Sequence, residues 1–482
     1  MKNALNKVFR LEDRGGKIGI ELLAGVITFI AMIYILPVNS SILGAMGMSE
    51  QGVFAATAII SGIITIFMGL YGNFPVVLSA GMGVNAYLAF TVYKAYNNWI
   101  AALIVMFLAG SVFLLLTLTA LREKIINAIP NDIKYILSAA LGGFIAFVGL
   151  KNAGIIASDG ATFVTLGNLG EPRVLIAMIG ILLVFALSAI NNPKLKQLAI
   201  PISMGVILVL GIVVNYAIFY NGGSGSYATN GLPFYDTNAS WGISGLGDVA
   251  FKIFTGGEIV TNAQSAAPTI ETVSAGKAWL DVIATPATYA FIFSLVLVNL
   301  FDTTATMMAV GREAGIVDEN GNLIDGRRAL LADAVGAAVC APLGTSTVTT
   351  FAESSVGTSI GARTGLSAVM AGVLFLLSAF IYPLFTPLTS STITSLALVA
   401  VGASMFTNNL KHINWDDAII GITAFVTFIL TLLTYSISEG LGFGLIVYIL
   451  MMLVSKRYKE INPFMYGIAG FYVVYFILDI FL

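Results

Sequence analysis

Cysteine and histidine are close to absent: Cys340 and His412 are the single representatives of each in 482 residues. A lone cysteine excludes an intramolecular disulfide. A structural zinc site, or a nucleophile served by a histidine base, needs more of both than the chain owns, so no metal is expected and His- or Cys-dependent catalysis is excluded. Charge is scarce too, with Asp, Glu, Lys and Arg making up 10% and a net charge of −2, which leaves no basic stripe to hold nucleic acid. The Gly-rich loop with Lys-Ser or Lys-Thr that cradles nucleotide phosphates is missing, so direct ATP drive is not expected and no cofactor is implied.

What is abundant is hydrocarbon. Hydrophobic residues make up 58% and the mean hydropathy is +0.93, beyond the range of soluble globular proteins. Apolar runs at 21–36, 52–71, 100–121, 135–150, 174–190 and 198–220 are long enough to cross about 30 Å of hydrocarbon as helices. Further runs begin near Pro286, Ala329, Ser367, Ser390, Asp417 and Gly440. The chain reads as an all-α, polytopic membrane protein with lipid around it.

Lys2, Lys7, Arg10, Arg14 and Lys17 precede the first run, which the positive-inside rule places in the cytoplasm. Arg122, Lys124, Lys134, Lys194, Lys196, Arg312, Arg327, Arg328, Arg363, Lys411 and the lysines around 456–459 then fall in inside loops. Lys94, Lys151, Arg173, Lys252 and Lys277 fall outside, so the alternating topology holds against an independent count. The first run lacks the short apolar core and small-residue cleavage site of a secretory signal, so it is expected to be retained.

The longest polar interruption, 221–281, divides the chain near its middle and reads as an extracytoplasmic loop. Seven spans before it and seven after leave the halves in opposite orientation, as in inverted-repeat transporters. The halves echo each other. The first run ends Leu36-Pro37-Val38-Asn39-Ser40-Ser41, and the first run after the loop ends Asn299-Leu300-Phe301-Asp302-Thr303-Thr304. About fifty residues further on, each half carries a segment too broken for an ordinary span. These are Ser79-Ala80-Gly81-Met82-Gly83-Val84-Asn85-Ala86 and Pro342-Leu343-Gly344-Thr345-Ser346-Thr347-Val348-Thr349-Thr350. The stretch 345–350 has the β-branched content of a strand, and 351–361 that of a short helix. Unpaired backbone at membrane depth is tolerable only where protein buries it or it faces a cavity, so these elements point to a midplane site. The apolar run 463–482 breaks the seven-plus-seven symmetry and is carried as an extra span or an interfacial helix.

The acids carry the chemistry. Asp302 follows a membrane-grade apolar run, and Glu353 lies in Thr349-Thr350-Phe351-Ala352-Glu353-Ser354-Ser355. A carboxylate inside a bilayer is costly enough to imply function. With no histidine in any span, a proton relay has to use carboxylates, and Asp302 and Glu353 are the coupling candidates. Asn85 offers a donor and an acceptor. Asp333 reads as a structural acid in a salt bridge with Arg327 or Arg328 near the cytoplasmic surface, and Asn39 and Asn299 as structural polar groups. His412 reads as a solvated surface residue and Cys340 as small buried filler.

At these residues the chain resembles the nucleobase-ascorbate transporter superfamily, in its branch of adenine, guanine and hypoxanthine permeases. The matching pieces are Gly81-Met82-Gly83-Val84-Asn85-Ala86, Phe301-Asp302-Thr303-Thr304 with Gly311-Arg312-Glu313-Ala314-Gly315, and Gly344-Thr345-Ser346-Thr347 through Glu353-Ser354-Ser355-Val356-Gly357 to Arg363-Thr364-Gly365. The resemblance implies fourteen spans as two intertwined inverted repeats, split into a core domain and a gate domain. The core takes 1–130 (spans one to four) and 284–386 (spans eight to eleven). The gate takes 131–220 (spans five to seven) and 387–482 (spans twelve to fourteen with the C-terminal helix), and 221–283 is the loop. It further implies a purine nucleobase bound between spans three, eight and ten, by Glu353, Asp302, Asn85, Gly83, Ala352, Phe351 and Thr350, and transport driven by protons. The family position matching Asn299 is often Asp, and that carboxylate is missing here.

Phe351 and Phe301 flank the acids and could stack on a planar base, although helix packing suffices for Phe301. A second copy of the chain is carried as a candidate partner. Adenine, guanine, hypoxanthine and xanthine stay open as substrates, as do uracil or an anion on the same architecture. An intramembrane two-aspartate enzyme is the remaining alternative, and the acids lack the matched motif pair it would need.

Overall fold

A computed structural model of the protein describes residues 2–119, 121–220, 231–264, 268–318 and 323–481. Apolar runs become helices where a polar residue or proline supplies a start. Helices α1 (Ile18–Met32) and α2 (Ile35–Gly44) form the first run, and α3 (Glu50–Phe67) starts where the Ser49 hydroxyl accepts the Gly52 N–H. Strand β1 (Leu78–Ala80) leads into the short helix α4 (Met82–Tyr87), which continues through a π turn to Tyr96. Asn98 caps α5 (Trp99–Leu118) by accepting the amides of Ile100 and Ala101. Helix α6 (Asn131–Asn152) ends before the hairpin of β2 (Ile156–Asp159) and β3 (Phe163–Leu166). In α7 (Pro172–Ala189) a proline takes the first position, where a missing N–H goes unmissed, and α8 (Ala199–Tyr220) follows.

After the polar segment, with strands β4 (Gly257–Thr261) and β5 (Thr269–Val273), come α9 (Ala287–Glu313), α10 (Gly326–Val339), strand β6 (Val348–Thr350) and the short α11 (Ser354–Ile360). Helices α12 (Gly365–Ser378), α13 (Ser391–Leu410), α14 (Ala418–Leu433), α15 (Ile437–Val454) and α16 (Pro463–Phe481) complete the chain. Among the described residues, nine helical segments are long and apolar enough to cross a membrane, and three shorter apolar helices accompany them. The protein is a mostly helical, multi-pass membrane protein.

Packing follows small residues, because a bilayer offers helices no hydrophobic drive to associate and only close contact and polar bonds hold them. The most extensive crossing joins α6 and α13, where Gly142 and Gly402 leave room for backbone on backbone. Helix α13 also lies on α7, α14 packs on α15 and α6, and α16 lies along α15 with Tyr472 fully buried. Helix α12 packs on α3 and α1, α10 on α5, and α11 on α1.

Three expectations change in detail. The run 21–36 is not one continuous helix. Pro37 has no N–H to give the Ile33 carbonyl, so Leu36 N reaches Ile33 O instead at 3.3 Å, and the chain turns at Ile33 and Tyr34. The polar interruption is no open loop in its described part. It carries the antiparallel β4–β5 hairpin, Phe251 N donates to Pro342 O at 2.6 Å, and Trp279 Nε1 donates to Ile253 O at 2.9 Å, which seats this segment at the end of α10. Residues 221–230 lie outside the described residues. The strand expected over 345–350 is confined to Val348–Thr350, and the helix expected over 351–361 to Ser354–Ile360.

Candidate functional site

Strands β1 and β6 pair antiparallel, with Leu78 opposite Thr350, Ser79 opposite Thr349 and Ala80 opposite Val348. Gly81 N donating to Thr347 O (3.1 Å) and Phe351 N donating to Val77 O (3.2 Å) extend the ladder at both ends. A two-stranded sheet inside a membrane protein has two open edges, and each polar backbone group there needs a partner. Helix α3 supplies one: the Thr65 hydroxyl donates to Leu78 O and accepts from Leu78 N, both at 3.0 Å. Ser354 Oγ accepts from Val77 N at 3.0 Å, and the Ser61 and Ser79 hydroxyls meet at 2.8 Å. Because the strands run oppositely, α4 and α11 leave from opposite ends of the ladder, about 7 Å apart along it.

Around this ladder the polar residues gather. Asn85, fully buried on α4, donates from Nδ2 to Asn39 Oδ1 at 2.6 Å. Asn39 in turn donates to Thr57 Oγ1 (2.7 Å) and Thr345 Oγ1 (2.9 Å), tying α2, α3, α4 and the approach to β6 into one network. Asn39, expected as a structural polar group, is the residue these bonds share. From the other side α9 presents two residues one turn apart: Asn299 donates to Thr347 Oγ1 at 3.4 Å, and Thr303 and Thr349 share a hydrogen at 3.1 Å. Three buried acceptors beside the ladder have no partner among the described residues: Asn85 Oδ1, Asn299 Oδ1 and Thr350 Oγ1.

Glu353 immediately precedes α11 and is half-buried, with one bond to a side chain: the Tyr34 phenol donates to Oε1 at 2.6 Å. Asp302, half-buried on α9, lies within electrostatic range of Glu353. Ala352 is exposed and Phe351 is buried. Gly83 is where α4 approaches α6, since a Cβ there would stand 2.9 Å from the Leu141 side chain. A recess of about 300 Å³ lies apart from the acids, lined by Phe90, Lys94, Phe291, Tyr435 and Glu439 among others.

Asp333 departs from expectation. It forms no ion pair with Arg327 or Arg328, and among the described residues neither carboxyl oxygen finds hydrogen-bond geometry; the Thr303 hydroxyl approaches without reaching it. The cation within range is Arg122, which is 3% exposed rather than in an open loop. Its guanidinium covers the Phe113 ring at 4.8 Å and donates to Thr117 and Thr304 hydroxyls at 3.2 and 3.3 Å. Sequence reasoning also missed Tyr34, although a tyrosine three residues ahead of a proline in an apolar run is a legible signal. Cys340 is buried and His412 exposed, as expected.

The Permease family profile matches residues 19–439, and so covers the ladder, both acids and most of the helices. The chain belongs to this permease family. It is 36% identical to the guanine/hypoxanthine permease PbuO of Bacillus subtilis, over 98% of this chain and 100% of that one. It is 33% identical to the adenine permease AdeQ of Escherichia coli, over 98% of this chain and 96% of that one. Both lie in the branch that the sequence motifs indicate, and the permease is a transporter, not an enzyme. The murine anion transporter Slc26a9 has a similar fold: its structure aligns over 90% of this permease and 68% of its own chain, at a TM-score of 0.56 and 10% identity.

Proposed function

We propose that this permease imports purine nucleobases (guanine, hypoxanthine or adenine) by proton symport across the plasma membrane, with its N-terminus in the cytoplasm. The observation that carries the reading is the acceptor-rich rim of the ladder. Among the described residues, Glu353 keeps Oε2 free of other side chains, and Asn85 Oδ1, Asn299 Oδ1 and Thr350 Oγ1 are buried without a partner. Buried acceptors call for donors, and a purine brings ring N–H groups that a carboxylate accepts strongly. Phe351 and Ala352 border the same turn, and Gly83 lets the opposite half-helix, α4, pack against Leu141 of α6. An anion carrier is the second reading, favoured by the fold shared with Slc26a9. Two acids in electrostatic range of each other at the site would repel an anion, so the nucleobase is the better fit.

In this reading the chain has fourteen spans in two inverted repeats of seven, with α16 in addition. Helices α1–α5 and α9–α12 form the core, and α6–α8 with α13–α15 the gate; the packing partners of α12, α10 and α11 on one side and of α13 and α14 on the other support the division. Rocking the core against the gate exposes the ladder to either side. Cysteines at Ala86 and Ser354, in a Cys340→Ser background, are expected to change their labelling by membrane-impermeant thiol reagents when purine or pH is changed. Labelling from one side only, indifferent to purine in every condition, would count against it.

The deciding experiment is uptake of labelled bases by purified protein in liposomes. An acidic exterior is expected to accelerate accumulation and a protonophore to abolish it. Accumulation driven by sodium alone at equal pH would overturn proton coupling. Asp302→Asn is expected to keep purine-for-purine exchange and lose uphill accumulation, because exchange needs no net proton movement; a mutant that still accumulates against a gradient removes Asp302 from the coupling.

A further inference from the structure

Tyr34 and Glu353 lie 319 positions apart in sequence, yet their side chains meet at 2.6 Å. The phenol arrives there because the first run turns at Ile33 and Tyr34, where Pro37 interrupts the hydrogen-bond pattern. Tyr34 is 2% exposed and its ring sits in the large apolar cluster with Phe29, Ile35 and Val38. A buried phenol of this kind has few rotamers open to it, so the position of its oxygen is held by packing rather than by Glu353. Glu353, by contrast, stands at a turn beside exposed Ala352, with three side-chain torsions and no other side-chain bond among the described residues. Of the two partners, the tyrosine is the fixed one and the carboxylate the adjustable one.

We propose that Tyr34 is a positioning residue for purine binding: by donating to Oε1 it fixes the plane of the Glu353 carboxylate and leaves Oε2 as the oxygen that accepts a ring N–H. This rests on the reading of Glu353 as the purine ligand. The argument is one of preorganisation, since a carboxylate free to rotate has to be ordered on each binding event, whereas one already held by a phenol does not. The O–H also occupies one lone pair of Oε1, which leaves Oε2 as the less encumbered acceptor for an N–H-bearing base.

The test is a double-mutant cycle read by equilibrium binding of guanine and hypoxanthine to the purified full-length protein. Tyr34→Phe keeps the ring in its apolar cluster and removes only the oxygen. It is expected to weaken binding roughly three- to tenfold and to raise KM for uptake with little change in kcat. In a Glu353→Gln background the same substitution is expected to cause no further loss and to recover part of the affinity, because without the phenol the amide can turn its oxygen toward the base. If Tyr34→Phe has no effect, or weakens binding as much in the Gln background as in the native one, the positioning role is wrong while Glu353 stands as ligand. If Glu353→Gln alone leaves affinity unchanged, the underlying reading fails instead. A variant that does not fold is replaced by 3-fluorotyrosine at position 34, whose fluorine resonance is expected to shift on adding guanine in the native background and to stay put with Glu353→Gln. A resonance that ignores guanine in both overturns the proposal.

Discussion

Glu353→Gln is expected to weaken purine binding by about tenfold to over a hundredfold, the equivalent of roughly 1.5 to 3 kcal/mol for a hydrogen bond to a charged group. The swap keeps the side-chain volume, so insertion and folding are expected to survive. What changes is the pattern of donors. Tyr34 donates to Oε1, and in the variant its O–H would hold the amide oxygen there, turning the NH₂ toward the ligand's N–H. Donor then faces donor, which is worse than a merely missing acceptor. Titration calorimetry on detergent-solubilised protein, with the melting temperature as the folding control, measures the effect. Native affinity in a folded variant would remove Glu353 from the site.

Gly402→Val is expected to have a large effect on the folded state. A Cβ at Gly402 would stand 2.4 Å from Ala146 N and 2.5 Å from Gly142 O, both backbone atoms of α6 that cannot swing aside as a side chain can. Overpacking a tight interface costs about 1–3 kcal/mol, and more where backbone has to move. The variant is expected to melt well below the native protein or to fail to accumulate. Gly421→Ala on α14 is the control, since nothing lies within 4 Å of a Cβ there, and removing a helix-interior glycine is expected to stabilise by about 0.5–1 kcal/mol. Equal melting temperatures for Gly402→Val and the native protein would show that α6 and α13 separate more easily than their contact suggests.

Much of the fold is legible from residue order because the bilayer simplifies it. A run such as 100–121 has one low-energy form in hydrocarbon, and Asn98 ahead of it caps the helix that results. The broken segments are legible for the same reason, since Gly81 and Gly83, or Pro342 and Gly344, interrupt a pattern that membrane spans rarely interrupt. Less legible is β1: Leu78-Ser79-Ala80 has no strand signal of its own and is extended because β6 and the Thr65 hydroxyl pair with it. The folded part of the polar segment is illegible likewise, because its hairpin and its seat on Pro342 depend on elements far along the chain.

The sequence by itself determined that this is a multi-pass membrane protein of the permease family, with Glu353 just after one broken element and Asp302 at the end of an apolar run. Those facts rest on composition, local periodicity and motif order, all of which are properties of neighbouring residues. Only the tertiary structure decided the partners: Tyr34 for Glu353, Asn39 for Asn85, and Arg122 rather than the adjacent Arg327 or Arg328 as the cation facing Asp333. The physical reason is that a buried polar group takes whatever partner packing brings within about 3 Å, and in a helix bundle that partner comes from an element distant in sequence.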